Sequence, residues 1–320
     1  MTTDAVSIKE DKSQTIHVYG PVPSRRLGFS LGIDIIPFKA CSLNCIYCQL
    51  GPTTKKIIHR KEYLSSSEIL SQIKNKLSSG QRIDYITFSG SGEPTLNKIL
   101  GKLIREIRKI TSIPVAVLTN STFLPQKSTR NALMDADLVV PSLDAATQEI
   151  FVKVNRPHSS LKLEEIIEGL RKLRQEFKGT IWLEIMLVKG VNDSPSHIRK
   201  LKEAIAKIKP DKVQLNTVIR PPAEEFARPL SLRELEKINK VFGKNCEIIV
   251  EFSRKAQKST LENLEGAILS LIQRRPVTLA DISNSLGKHK NEIIKYLNFL
   301  LVEGKIKSVI HKGLKYFEPK

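Results

Sequence analysis

Seven short, β-branched apolar runs recur along residues 31–252, with longer amphipathic stretches between them, and this alternation leaves few folds open. The runs are LGIDIIP (31–37), IDYITFS (83–89), VAVLTN (115–120), LVVPSLD (138–144), IWLEIMLV (181–188), VQLNTVI (213–219) and CEIIVEF (246–252). Helical patterns fall near 67–79, 97–110, 127–134, 161–177, 195–208 and 231–242. Ser65 to Ser67 ahead of Glu68 supply a cap for the first helix, and Gly80 a close. Six or so βα repeats predict an α/β fold: a parallel TIM-type barrel, complete or partial, with its site at the C-terminal ends of the strands. An open doubly wound sheet uses the same units and is the competing architecture.

The pattern changes after about residue 255. EGAILSLIQRR, PVTLADISNSLG and KNEIIKYLNFLLVEGKI read as three helices, and KSVIHKGLKYFEP reads as a hairpin turning at Lys312-Gly313. That order predicts a winged-helix-like domain over 256–320, behind a barrel over 20–255 and an extended or disordered segment over 1–19. Such modules bind nucleic acid through the last helix, here around Lys288 to Lys295, or bind protein, or pack on their own enzyme.

At 320 residues with 40% apolar content the chain can fill a proper core. Its first fifteen residues are polar, and no stretch reaches the ~18 to 20 apolar residues that cross a bilayer, so the expectation is a cytoplasmic protein with no membrane partner. Lys+Arg 52 against Asp+Glu 33 gives +19, which favours polyanions such as RNA; a lysine-rich surface that only confers solubility is the alternative.

The turn after the first run reads CSLNCIYCQLG, a C-x3-C-x2-C array of Cys41, Cys45 and Cys48 in a chain with four cysteines. A disulfide framework is disfavoured in a reducing cytoplasm with an odd cysteine left over. Structural zinc wants four protein ligands; His59 could complete such a set, whereas Cys246 lies in an apolar run and reads as a buried thiol. Three thiolates on a [4Fe–4S] cluster leave one iron open, and that iron can take the amino and carboxylate groups of S-adenosylmethionine (SAM).

With Tyr47 just before its last cysteine, the array resembles the radical SAM superfamily. The resemblance implies a partial parallel (βα)6 barrel, a [4Fe–4S] cluster on Cys41, Cys45 and Cys48, bound SAM, and an electron donor such as ferredoxin or flavodoxin. It also implies a turn after the second strand that holds the methionyl ammonium. Here that turn is Ser89-Gly90-Ser91-Gly92-Glu93-Pro94, so Gly92 and Glu93 carry over with Gly90 in support, while Ser91 replaces the usual glycine. Thr119, Asn120, Ser142 and Asp144 end the third and fourth strands, where the family contacts the ribose and sulfonium; polar residues there are also ordinary strand caps.

Glu184 is an acid inside an apolar strand, and burying it unpartnered would cost several kcal/mol. A place facing SAM or substrate satisfies that cost, and so does a pair with an internal Lys or Arg. Late-strand loops offer Asn192, Asp193, Asn216 and Arg220. Arg25 and Arg26 precede the first strand and could hold a phosphate or carboxylate, or be surface charge.

VYGPVPSRRLGFSLGIDIIP, followed by CSLNCIYCQLGPT, resembles radical SAM proteins described as Fe–S oxidoreductases and related to the wyosine-synthase branch. A second cysteine cluster is lacking, which argues against sulfur insertion, and so is the further cysteine that double-cysteine methylation needs. The expected reaction is SAM cleavage to a 5′-deoxyadenosyl radical that abstracts hydrogen, with tRNA or another RNA as the leading substrate. A protein or small-metabolite substrate is the alternative, with the C-terminal module as lid or docking domain. A DNA-binding regulator that senses redox through its cluster is the reading from another class.

Overall fold

A computed structural model describes residues 16–220, 222–249, 258–274, 276–311 and 313–320. Eight strands form one sheet in chain order: β1 (Val18–Ser24), β2 (Gly28–Ile33), β3 (Tyr85–Phe88), β4 (Val115–Thr119), β5 (Leu138–Pro141), β6 (Thr180–Leu187), β7 (Lys212–Thr217) and β8 (Cys246–Ile248). From β2 to β8 every neighbouring pair is parallel, and β1 lies antiparallel to β2 at one edge. A strand order that never reverses sends each crossover the same way, so the sheet curls as a barrel wall; a doubly wound sheet would switch direction. β1 and β8 stay unpaired with each other, and the barrel is partial.

The helices between strands are α1 (Ser66–Leu77), α2 (Leu100–Ile110), α3 (Lys127–Leu133), α4 (Gln148–Asn155), α5 (Leu163–Glu176), α6 (Pro195–Ile208) and α7 (Leu232–Phe242). Leu100, Leu103, Ile104 and Ile107 of α2 recur at helical spacing and are all fully buried. Along β6, Ile181, Leu183, Ile185 and Leu187 are fully buried on the outer face. The alternate residues Trp182, Glu184 and Met186 face inward, as the two-residue period of a strand dictates. Leu27, Ala116, Leu138 and Val140, with Trp182 against them, fill the barrel interior toward the N-terminal ends of the strands. The cavity is therefore left at the opposite end.

Some local expectations change. The antiparallel β1 was not anticipated, and the first parallel strand ends at Ile33 because Asp34 turns the chain by accepting the Ile36 amide. α4 was missed because only eight residues carry its pattern; the Thr147 hydroxyl caps it by accepting the Ile150 amide. Ser65 bonds the Ser67 hydroxyl rather than capping α1, whose end is closed at Ser78, two residues before Gly80.

The C-terminal part holds α8 (Lys258–Arg274), β9 (Val277–Thr278), α9 (Leu279–Leu286), α10 (Lys290–Val302), β10 (Ile306–His311) and β11 (Leu314–Pro319). Its three strands pair antiparallel in the order β10-β11-β9 over a separate core that includes Ile268, Ile272, Ile282, Ile293, Leu297 and Phe317. The junction near 255, most of segment 1–19 and Lys312 of the expected hairpin turn lie outside the described residues. Among the described residues, no helix is long and apolar enough to cross a membrane.

Candidate active site

The chain between β2 and α1 carries all three clustered cysteines into a cavity of about 390 Å³ at the C-terminal ends of the strands. Each sulfur receives one N–H donor from a different part of the fold. Asn120 Nδ2, just past β4, lies 3.4 Å from Cys41 Sγ; Asn155 Nδ2, ending α4, lies 3.3 Å from Cys45 Sγ; and Lys39 Nζ lies 3.2 Å from Cys48 Sγ. Burial pushes the Cys41 thiol up to about 12 and raises that of Cys45 as well. Thiols so placed ionise only beside a cation, and the donors aimed at them suit thiolates, so the set fits iron.

Zinc fits less well. His59 is exposed and does not line the cavity, and no group of three or more His, Cys, Asp and Glu among the described residues is drawn together around a single ion. Three thiolates facing one cavity suit a multi-iron cluster with an open coordination position. Cys246 is buried in β8, away from this cavity.

The turn after β3 presses directly on the cysteine loop. A Cβ on Gly92 would lie 1.9 Å from the Ala40 carbonyl oxygen, and one on Gly90 would lie 2.3 Å from the Asp34 carboxylate, so only glycine fits at either position. Glu93 follows, 1% exposed, with its amide donating to Ala40 O at 3.0 Å. Its Oε1 accepts from the Thr95 amide and hydroxyl and from Thr119 Oγ1, while Oε2 accepts only the Asn120 amide at 2.6 Å. Burial raises the Glu93 carboxyl and these donors oppose that rise. The side chain fastens the turn to the end of β4.

Asn120, Ser142 and Thr119 line the cavity as expected from their positions at the strand ends. Asp144 does not. It is 3% exposed beneath the cysteine loop, accepting Tyr47 Oη at 2.5 Å, Asn155 Nδ2 at 2.7 Å and the Met186 amide at 2.9 Å. Burial lifts its carboxyl to about 6 even against those donors. Asp144 anchors Tyr47 and, through Asn155, the Cys45 sulfur. Asn192 is likewise structural, donating to the Asp144 and Met186 carbonyls, and Asp193 accepts the Gly190 amide outside the cavity.

Glu184 faces the cavity and is paired inside the barrel. Arg26 Nη2 lies 2.6 Å and Asn216 Nδ2 lies 2.9 Å from its Oε1. Burial alone would raise this carboxyl; Arg26 and Asn216 outweigh it and hold Glu184 below its usual range. Arg25 Nη1 donates to Asn216 Oδ1 and Arg220 Nη1 to Gln49 Oε1, so both arginines also reach the cavity.

α10 closes one side of the mouth. His289 stacks on Tyr19 of β1, with centroids 4.6 Å apart and planes 14° from parallel. Its Nε2 lies 3.1 Å from Asp34 Oδ2, Asn291 Nδ2 donates to the same oxygen at 3.3 Å, and Lys290 Nζ sits 5.0 Å over the Phe38 ring. Asn291 and Lys295 thereby line the cavity. Asp34 also accepts the Ser91 amide and hydroxyl, so one carboxylate ties together the cysteine loop, the glycine turn and α10. Asp34, Lys39 and Asn155 were missed from sequence. An acid inside the apolar run LGIDIIP was a usable signal for Asp34, the same one that singled out Glu184.

Comparison with known families matches residues 35–201 to the Radical SAM superfamily. This chain belongs to the radical SAM superfamily. The UPF0026 protein of Methanocaldococcus jannaschii is 34% identical over 93% of this radical SAM chain and 94% of its own length. The protein named GTPase Obg of Brachyspira hyodysenteriae is 41% identical over 95% of this chain, which spans 45% of that protein's length. A radical SAM methyltransferase from Sphaerobacter thermophilus shares the fold, with a TM-score of 0.53 at 18% identity over 70% of this chain and 66% of its own. The protein is a radical SAM enzyme whose cofactors are a [4Fe–4S] cluster and SAM.

Proposed function

We propose that this enzyme abstracts a hydrogen atom from a small substrate, or from a protruding end of a larger one, bound in the cavity that holds its cofactors. Cys41, Cys45 and Cys48 would hold the [4Fe–4S] cluster, and when bound it would supply the electron for reductive cleavage of SAM, the chemistry that carries a substrate hydrogen into 5′-deoxyadenosine. The chain's own part is positioning. Gly90, Gly92 and Glu93 shape the place for the methionyl end, with Glu93 Oε2 as its acceptor. Asn120 and Ser142 flank the ribose side, and Tyr47, Asp144 and Asn155 hold the Cys45 segment in place.

The observation that carries the reading on substrate size is the docking of α10 through His289, Asn291 and Lys290. It turns the start of the helix expected to read nucleic acid toward the barrel, with Asn291 and Lys295 lining the cavity, which supports reading the C-terminal unit as a wall of the substrate space. A duplex groove does not fit such a site; a metabolite or an extruded group does. RNA modification is the second reading, supported by the net charge of +19 and the wyosine-branch likeness of residues 18–37, with contacts outside the docked face of α10. A cytoplasmic setting and a ferredoxin or flavodoxin donor accord with this chemistry.

Reconstituted protein, reduced without oxygen, should release 5′-deoxyadenosine, and a small-metabolite extract should raise the yield more than bulk tRNA does. A larger, salt-sensitive rise with tRNA would favour the RNA reading; an intact cluster that releases none would favour the redox-sensing regulator.

A further inference from the structure

Residues 35–61 hold the three clustered cysteines and carry five Lys and Arg but no Asp or Glu; Asp34 and Glu62 bound the stretch. After Cys48 the chain folds back along the cysteine loop. The Gly51 amide donates to the Cys48 carbonyl at 3.1 Å, the Ile57 amide donates to the Cys41 carbonyl at 2.8 Å, and Lys56 bridges Cys41 in parallel. Lys61 then bridges Asn97, so 56–61 runs from the cysteine loop to the segment just past Glu93. Lys56 Nζ donates to the Arg156 and Pro157 carbonyls, Arg60 to the Thr95 carbonyl and the Ser128 hydroxyl, and Lys61 Nζ lies 5.0 Å over the Tyr63 ring. Lys55 and Lys61 are exposed, as is Lys98, whose amide donates to the Lys61 carbonyl. None of these five cations is ion-paired among the described residues, and none lines the cavity, so they do not contact a substrate held inside. Phe38, next to the Lys39 that binds Cys48 Sγ, is 42% exposed.

We infer that this face, the outside of the cysteine loop with segment 55–61, docks the reductant of the cluster, and that the reductant is a one-electron carrier protein with an acidic surface. The inference rests on the reading that Cys41, Cys45 and Cys48 hold a cluster that must be reduced before SAM is cleaved. The carrier is oxidised by one electron and the cluster is reduced by one, with no atom changing hands. Electron transfer slows exponentially with distance, so the carrier has to dock where the ligand loop meets the surface, and the backbone of 56–57 lies one hydrogen bond from Cys41. Cations without ion-pair partners steer an acidic protein to this place, and the exposed Phe38 ring gives a short-lived complex an apolar contact. Nucleic acid would use the same charge, but it supplies no electron.

The test is calorimetric titration of the full-length, cluster-loaded protein, without oxygen, using oxidised flavodoxin and, separately, oxidised ferredoxin, each of acidic surface. At least one carrier should bind, and more weakly as salt rises. Lys55→Glu combined with Lys61→Glu should weaken that binding by about tenfold or more and slow the bleaching of cluster absorbance by the reduced carrier to match, while iron content and bleaching by dithionite stay at the wild-type level. Lys207→Glu combined with Lys240→Glu makes the same change of charge in the last turns of α6 and α7, beside the N-terminal ends of β7 and β8, and should leave binding and bleaching unchanged. If the two double variants bind the carrier alike, or if neither carrier binds the wild type, the inference is overturned; a loss of tRNA binding alone in the first variant overturns it too and makes the face a polyanion surface. Production of 5′-deoxyadenosine with dithionite separates the two claims: its absence with carrier docking intact removes the radical reading and leaves the docking face standing, and its presence with docking insensitive to Lys55 and Lys61 removes the face alone.

Discussion

His289 Nε2 lies 3.1 Å from Asp34 Oδ2, and this contact joins the C-terminal helix unit to the loop that carries the cysteines. Asp34 is 4% exposed and accepts from Ile36, Ser91 and Asn291 besides facing His289. Replacing it leaves several buried donors unsatisfied, each costing roughly 1–3 kcal/mol. Asp34→Ala should therefore lower unfolding stability by about 3 kcal/mol and increase hydrogen exchange along α10. Exchange in α10 identical to the wild type would mean that the docking does not depend on this carboxylate.

Gly92 has no room for a methyl group, because a Cβ there meets the Ala40 carbonyl oxygen at 1.9 Å. Gly92→Ala should force the cysteine loop away from the glycine turn and lower iron retention after reconstitution severalfold, while far-ultraviolet circular dichroism stays near that of the wild type. Full iron content in the variant would show that the loop yields without consequence.

The three N–H donors to sulfur predict a redox effect. Donors to cluster sulfurs favour the more negative, reduced state, so removing one lowers the midpoint potential. Asn155→Ala and Lys39→Met should each shift it downward by on the order of tens of millivolts, the lysine more because a charge is lost with the bond. Spectroelectrochemistry of the loaded protein checks this; unchanged potentials would assign both residues to loop packing alone.

Lys295 gives a pH dependence with a definite sign. Its ammonium is lowered to about 7 by burial, then by Arg220 and Arg25, with Glu292 opposing, against an ordinary value near 10.4 in the unfolded chain. Between these values the unfolded chain binds the extra proton, so this group makes stability rise with pH from about 7 to 10, and it costs most below 7, where the buried ammonium is charged. Chemical unfolding measured between pH 6 and 10 should show this rise, and Lys295→Met should flatten it; an unchanged profile in the variant would assign the pH dependence to other groups.

Much of this was legible before any coordinates. The β-branched runs placed the parallel strands because a strand covered by helices must be apolar on both faces, and the three cysteines after the first such run marked the cavity's position. What stayed hidden depends on long-range packing. Asp144 looks like any polar strand end until Tyr47 and Asn155 arrive from elsewhere in the chain to use its oxygens. β1 lacked a signal because its VYGPVPS carries two prolines and a glycine, residues tolerated at a sheet edge but atypical of strands. Packing of the C-terminal module on its own enzyme was one of the options the sequence left open, but the contacts that dock α10 stayed hidden, since His289 and Asn291 are ordinary helix-start residues and only the fold brings them to Asp34.

The most direct test of the central claim is product analysis after anaerobic loading with iron and sulfide, reduction and addition of SAM, for the wild type and Cys45→Ala side by side. The wild type should show cluster absorbance and form 5′-deoxyadenosine and methionine in equal amounts, and Cys45→Ala should lose both absorbance and products. Continued SAM cleavage by Cys45→Ala, or an intact wild-type cluster that cleaves none, would contradict the assignment of this cavity as a radical SAM active site.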